Sequence, residues 1–401
     1  MLHLLHGNLC RLLAAAALIM PGTSVLMFAG SLLGTKLAPD PSLATLPIGC
    51  MILGVAATSI PAAELYRRRG RRFGALVGIV FYILGMLCGL LATTQMLFSA
   101  LILAGFLTGV SQSFVQQYRF AAVETVTRAE DIPQVLSLAM LAGVVAAWIG
   151  PEVAFRGRYL IWEDAEYAGS FIIVMALAVV AAFIMAGFKN PERREVDEVK
   201  EARPLREIAK NRLYVYAVAS GAIGYGVMSF LMTATPISMT EGHHHSLADA
   251  KWVIQSHITA MFLPSLITGV VIQRLGIHKV LPLGSVILLV SLLIGFQGHD
   301  VMHYWWALVL LGFGWNWLFI GGTTLLPETY EPSERFRAQG FNDFLIFGVQ
   351  ALCSLAAGFV LNLWGWNTML VLCLPLLVGH LVMAFWWVRK SAEAAAFSEG
   401  S

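Results

Sequence analysis

A few polar side chains stand inside stretches of this sequence that are otherwise apolar, and these are the residues with chemistry to offer. Gln112 and Gln116 fall at four-residue spacing with Thr108 before them and Arg119 after them, forming one stripe of a helix. Asn316 stands in the middle of a later apolar run. An amide in hydrocarbon is costly, so Gln112, Gln116 and Asn316 either touch a polar solute or hydrogen-bond neighbouring helices. The sequence leaves both roles open. Asp343, His257 and Glu152 are ionisable groups in or beside such runs. A group whose surroundings alternate between wet and dry changes its affinity for a proton, which makes these three the candidates for proton coupling, with Arg119 as a partner. Each also suits a plainer role. Asp343 would pair with Arg119, Arg335 or Arg337, His257 would pack as a hydrogen-bonded ring, and Glu152 would face water.

Other chemistries have no residues to run on. The chain has no GxxxxGK[ST] loop and no Gly-Lys pair, which excludes ATP hydrolysis by the usual phosphate cradle. It has no HExxH and no GxSxG, so an enzyme acting within the membrane lacks a nucleophile and base. His243, His244 and His245 are consecutive, which does not preorganise a metal site. Cys10, Cys50, Cys88, Cys353 and Cys373 show no CxxC spacing and read as small packing residues. No cofactor, metal or nucleic acid is called for; the expected partners are a small-molecule solute, the lipid bilayer and protons, around a monomer.

The elements that must position these side chains are long apolar helices. Hydrophobic residues make up 58% of the 401 residues and charged ones 12%, with a mean hydropathy of +0.74; this composition belongs in a membrane. Each crossing needs about 20 apolar residues. Twelve runs qualify, over 9–33, 43–65, 73–94, 96–118, 133–154, 167–188, 213–238, 249–273, 280–297, 303–326, 338–363 and 367–388. All are expected to be helical, because hydrocarbon offers the backbone no hydrogen-bond partner. The charged stretch 189–212 divides them six and six. It reads as a linker between an N-terminal bundle, 1–188, and a C-terminal bundle, 213–401. If the N-terminus is inside, only Lys36, Arg156, Arg158 and Lys251 of the 26 Lys and Arg fall outside. That bias places the linker and both termini in the cytoplasm.

The two blocks repeat each other. Ser24, Leu26, Met27 and Ala29 recur as Ser229, Leu231, Met232 and Ala234; Arg68, Gly70 and Gly78 recur as Arg274, Gly276 and Gly284; Glu124 and Thr125 recur as Glu328 and Thr329. All three offsets lie between 204 and 206 residues, and the same shift sets Gln112 opposite Asn316. Six helices return the chain to its starting side, so the repeat is a parallel one.

On these residues the chain resembles the major facilitator superfamily, in its prokaryotic twelve-helix type. The segment from Ala63 to Arg72 is similar to the family's GxxxDRxGRR signature between the second and third helices, and Gly269 to Gly276 is similar to its second copy. Arg68, Gly70, Arg71 and Arg72 match; Ala63 replaces the first Gly, and Arg67 replaces the Asp, with Glu64 one turn earlier. The resemblance implies an all-α membrane protein of two pseudo-symmetric six-helix bundles that rock about a central site. It implies a secondary transporter of the inner membrane, proton-coupled, moving a small organic solute either inward or outward, with a non-transporting sensor of the same fold as the rival. Gating would fall to Arg68, Gly70, Arg71, Arg72, Arg274 and Gly276. Helices one, four, seven and ten would line the cavity, so Trp315 and Tyr225, with Phe114, Tyr118 and Trp317, would wall it beside Gln112, Gln116 and Asn316. Such walls suit a flat heterocycle.

Overall fold

In the computed structural model of the chain, residues 7–123, 132–161, 164–190, 203–331 and 334–399 are described. The chain runs through helices α1 (Gly7–Leu37), α2 (Leu46–Arg69), α3 (Arg71–Thr94), α4 (Phe98–Gln116), a short α5 (Tyr118–Val123), α6 (Ile132–Arg156) and α7 (Ala168–Ala186). After the linker come a short α8 (Leu205–Ile208), then α9 (Arg212–Ile237), α10 (Leu247–Phe262), α11 (Ser265–Leu275), α12 (Ile277–Gln297), α13 (Val301–Leu325) and α14 (Arg335–Glu399). Among the described residues nine helices are long and apolar enough to cross a membrane, ten if α10 and α11 form one bent span. Gly365, at φ +75°, divides α14 into two arms, and α6 adds a helix of 25 residues, which is consistent with the twelve crossings expected.

The junctions follow from local chemistry. Gly70 (φ +87°) and Gly276 (φ +80°) each turn the chain by a single residue between two helices, a backbone conformation that an L side chain resists. They are the two glycines matched in the repeat. Span eight is not one helix. It bends by 45° after Phe262, where Pro264 has no N–H to continue the ladder, so the uniform helix expected over 249–273 is replaced by α10 and α11.

Close packing is set by small residues at helix contacts. A Cβ on Gly105 would meet the Pro47 carbonyl and one on Gly109 the Met51 carbonyl, at 2.0 and 1.8 Å, so α4 lies directly on α2. In the second half Gly312 of α13 approaches the His257 carbonyl of α10 in the same way. Gly78 faces Phe114 and Gly284 faces Leu318, again one contact repeated at the sequence offset. Between the halves α2 packs on α14 and α6 on α10, two pairs that exchange when each helix is shifted by six spans. Glu124 and Thr125 of the sequence repeat lie outside the described residues.

Three ion-pair groups tie the loops. Lys36 and Arg158 both reach Glu166, Arg156 and Lys251 both reach Glu152, and Arg203 at the end of the linker reaches Glu334 just before α14. The Arg203 side chain, followed by the Glu331 backbone N–H, holds the Glu334 carboxyl down to about 2.

Candidate functional site

The polar stripe of α4 meets α1. Thr23 Oγ1 donates to Gln112 Oε1 at 3.2 Å, and both residues stay half-buried, as does Gln116. Thr108 is turned into its own helix, donating to the Ala104 carbonyl at 2.7 Å. Ser111, next to Gln112, keeps a buried hydroxyl with no partner among the described residues. The side chain of Arg119 lies outside those described.

Asn316, the counterpart of Gln112, has a different environment. It is fully buried, and every part of its amide is engaged at the bend between α10 and α11. Its Nδ2 donates to the Met261 carbonyl at 2.8 Å and to Ser265 Oγ at 2.6 Å, and its Oδ1 accepts from Thr268 Oγ1 at 2.7 Å. Met261 lies in the last turn of α10 and Ser265 in the first turn of α11, so the two donations of the Asn316 amide span the break at Pro264. The geometry therefore assigns Asn316 to holding the bend, and no hydrogen bond joins it to Gln112.

Beside Asn316 the second half gathers an aromatic cluster. Tyr225 of α9 stands edge-on to Trp315 and Phe319 of α13, with ring centroids 5.0 Å away in each case, and to Phe347 of α14 at 5.8 Å. Trp315 and Phe319, one turn apart, are stacked at 5.3 Å, and Phe262 at the end of α10 adds a fourth helix at 6.1 Å from Trp315. Tyr225, Trp315 and Phe347 each come from near the middle of their crossing, so the cluster sits at mid-depth. Tyr225, Phe319, Phe347 and Phe262 remain partly exposed, whereas Trp315 is buried with an Nε1–H that meets no partner among the described residues. Phe114 and Trp317 turn elsewhere: Phe114 packs on Tyr66 and Phe81, and Trp317 on Phe313 and the Gly284 surface. Tyr118 is buried. Phe319 and Phe347 were not singled out by sequence, although the spacing of Phe319 four residues after Trp315 signalled a shared helix face.

The ionisable candidates separate into three settings. Asp343 is half-buried and accepts from Asn342 Nδ2 at 3.0 Å, close enough to Tyr214 of α9 to act on it electrostatically. His257 is fully buried, with Nδ1 at 2.7 Å from the Leu308 carbonyl and Nε2 without a partner among the described residues; it braces α10 to α13 away from water in this state. Glu152 is bound to Arg156 and Lys251 near the end of α6. His380 is a second internal brace, bonding Ser220 through Nε2 and Ser285 through Nδ1 at 2.8 and 2.7 Å.

At the helix junction, Arg68 pairs with Glu64 on its own helix. Arg71 lies over the Tyr66 ring at 5.3 Å, and the Arg72 backbone N–H donates to Asn190 Oδ1 at 2.8 Å, against Gly70. Arg274 is exposed beside Gly276. Glu64 thus does take up the signature arginine, one turn away on α2.

These features define a class first: a multi-pass helical membrane protein with a polar stripe on α4 in its first half and an aromatic cluster near mid-helix in its second. Comparison with known proteins then fixes the family. The profile of the Major Facilitator Superfamily matches residues 12–234 and 217–401, and the chain belongs to that family. It is 37% identical over 394 residues to the riboflavin transporter RfnT of Brucella anthropi, covering 97% of each chain. It is 26% identical to the MFS-type transporter YddS of Bacillus subtilis, over 91% of this chain and 87% of that one. Among solved structures, a bacterial homologue of the human lysosomal transporter Spinster superposes with a TM-score of 0.72 at 14% identity, covering 95% of this chain and 96% of that one. The protein is a membrane transporter of small solutes, not an enzyme.

Proposed function

We propose that the chain carries riboflavin, or a flavin with the same ring system, across the inner membrane by alternating access, coupled to protons. The observation that carries this reading is the mid-depth cluster of Tyr225, Trp315, Phe319 and Phe347. A flat tricycle of fused rings needs stacking surface and a few polar contacts, which this wall and the Gln112 stripe would supply. The full-length match to a riboflavin transporter supports the same solute. Residues 1–188 and 213–401 are the two bundles that rock, the stretch 189–212 joins them in the cytoplasm together with both termini, and the working unit is a monomer. Asp343, in the first turns of α14 and only half-buried, is the group that takes and releases the proton.

The test is flux of labelled riboflavin into proteoliposomes with and without an imposed pH gradient, which also reads direction. Tyr225→Ala should raise KM by about three- to tenfold, the loss of one aromatic contact. Asp343→Asn should abolish gradient-driven accumulation while sparing exchange. Gradient-driven accumulation that survives in Asp343→Asn removes that residue from the mechanism. Absence of any flavin flux, with flux of another solute intact, overturns the flavin reading.

A further inference from the structure

Five ionisable side chains that the transport reading leaves aside gather at the end of the second half opposite the linker. His243 and His245 come from the loop between α9 and α10, His299 and Asp300 from the loop between α12 and α13, and His303 from the first turn of α13. His244 is the turn residue of the first loop. At φ +55° it takes a left-handed conformation and lies exposed, while the residues on either side of it reach the second loop. The His243 and His299 rings are stacked, with centroids 4.0 Å apart and planes 24° from parallel. His245 Nε2 donates to the His299 carbonyl at 2.5 Å. Tyr304 of α13 is buried against the pair. Its hydroxyl lies 2.6 Å from Ser238 Oγ and 3.0 Å from His243 Nδ1, and its ring packs on Trp366 of α14 at 5.1 Å.

These contacts fix where the protons sit. His243 Nδ1 lies 2.9 Å from the Ser238 carbonyl, which can only accept, so Nδ1 carries a hydrogen and Nε2 is the place for a second. His299 Nδ1 and His303 Nδ1 are buried with no hydrogen-bond partner among the described residues. A second proton on both stacked rings would set two like charges face to face, so the stacked form keeps at least one of them neutral. Burial first, then His243 and His303, lowers the affinity of His299 for a proton, and the exposed Asp300 opposes this. Asp300 also stands 3.6 Å from His303 Nδ1. The remaining elements add little charge: α10 brings Asp249, already held by Ser246, and the turn after α9 brings Glu241, which is exposed. No Asp, Glu, Lys, Arg or His stands between positions 344 and 379 of α14. Among the described residues no three His, Cys, Asp or Glu side chains are placed to hold a metal ion, so protonation is the chemistry this cluster offers.

We infer that the His243–His299 stack is a clasp released by acid: neutral, it ties the α9–α10 loop to the α12–α13 loop, and protonated, it parts and frees the ends of α9 and α10 from α13. Both loops belong to the second half, so the clasp acts inside one bundle. It goes beyond the proposed function and involves neither the solute nor Asp343. Because α9 carries Tyr225 and α13 carries Trp315, the pH at this face reaches the helices that build the aromatic wall. An imidazole in an opened, solvated loop takes a proton near pH 6.5, at about the ordinary value for histidine. Closure is therefore fully favoured above that pH and weakens below it. For each ring that the closed form keeps neutral, a fall to about pH 5.5 raises the opening equilibrium about tenfold.

The experiment is amide hydrogen exchange with mass spectrometry on the full chain in lipid nanodiscs, over a series from about pH 7.5 to about pH 5.5, each rate divided by the intrinsic rate of the free peptide at that pH. Wild type should lose about tenfold in protection at residues 238–247 and 297–304 on acidification, and none at 38–45, the α1–α2 loop of the first half. His299→Phe keeps a ring for the stack but cannot take a charge, and should hold its protection through the series. Wild-type protection that does not change with pH overturns the clasp. A loss shared equally by 38–45 is general loosening in acid and overturns it, as does a loss that persists undiminished in His299→Phe. Should His299→Phe fail to fold, Asp300→Asn, at an exposed side chain, withdraws the charge that favours the proton and should move the loss to lower pH; an unmoved midpoint overturns the clasp.

Discussion

Replacing Asn316 with alanine separates two roles that the sequence leaves undivided. The side chain makes three hydrogen bonds from a site with no solvent exposure, two of them donated to the α10–α11 bend and one accepted from it. Between membrane helices such bonds average about 0.6 kcal/mol each, so the three together contribute about 2 kcal/mol. For a unit the size of one half, that corresponds to a fall in Tm of about 4–8 °C. Asn316→Asp should do no better, because an ionised carboxylate cannot donate to the Met261 carbonyl. Differential scanning fluorimetry in detergent measures the stability, and solute KM is measured in parallel. A Tm within about 1 °C of wild type together with a raised KM would refute the reasoning, since the amide would then face solute and not the bend.

Three further outcomes follow from the packing and the ion pairs. Gly109→Ala places a Cβ 1.8 Å from the Met51 carbonyl and should abolish monodisperse protein on size exclusion, whereas Gly379→Ala, with open space around it, should behave as wild type. His380→Ala removes the bridge between Ser220 and Ser285 and should lower Tm without changing KM for the solute. Glu334, held at about 2 by Arg203, contributes stability that is full above its unfolded value of 4.5 and is lost as pH falls toward 2; the Tm difference between wild type and Glu334→Gln should therefore vanish across that interval.

The sequence exposed the apolar runs, the repeat and the junction glycines plainly, because each is a matter of composition or of a single backbone requirement. Gly70 and Gly276 could be matched by eye, and both adopt the left-handed conformation that their positions demand. The partners of polar side chains were harder to read. Helical spacing shows that Gln112 and Asn316 interrupt apolar helices, but not whether protein or solute satisfies them. The clue for Asn316 lay 52 residues away in Pro264, which breaks the helix whose two arms the amide joins. Orientation was hidden for the aromatics too: Phe114 and Trp317 pack between helices while Tyr225 and Trp315 join one cluster, a choice made by glycines on the facing helices. The four cations of the face opposite the linker marked topology in the sequence, and only the fold brings Lys251 of one half onto Glu152 of the other.

Counterflow tests the central claim most directly. Proteoliposomes loaded with unlabelled riboflavin and diluted into labelled riboflavin, with no ion gradient, should accumulate label transiently above its external concentration, because a single site exposed alternately to each side exchanges one molecule for another. Label that merely equilibrates, or that fails to enter while purified protein remains folded, would contradict the account.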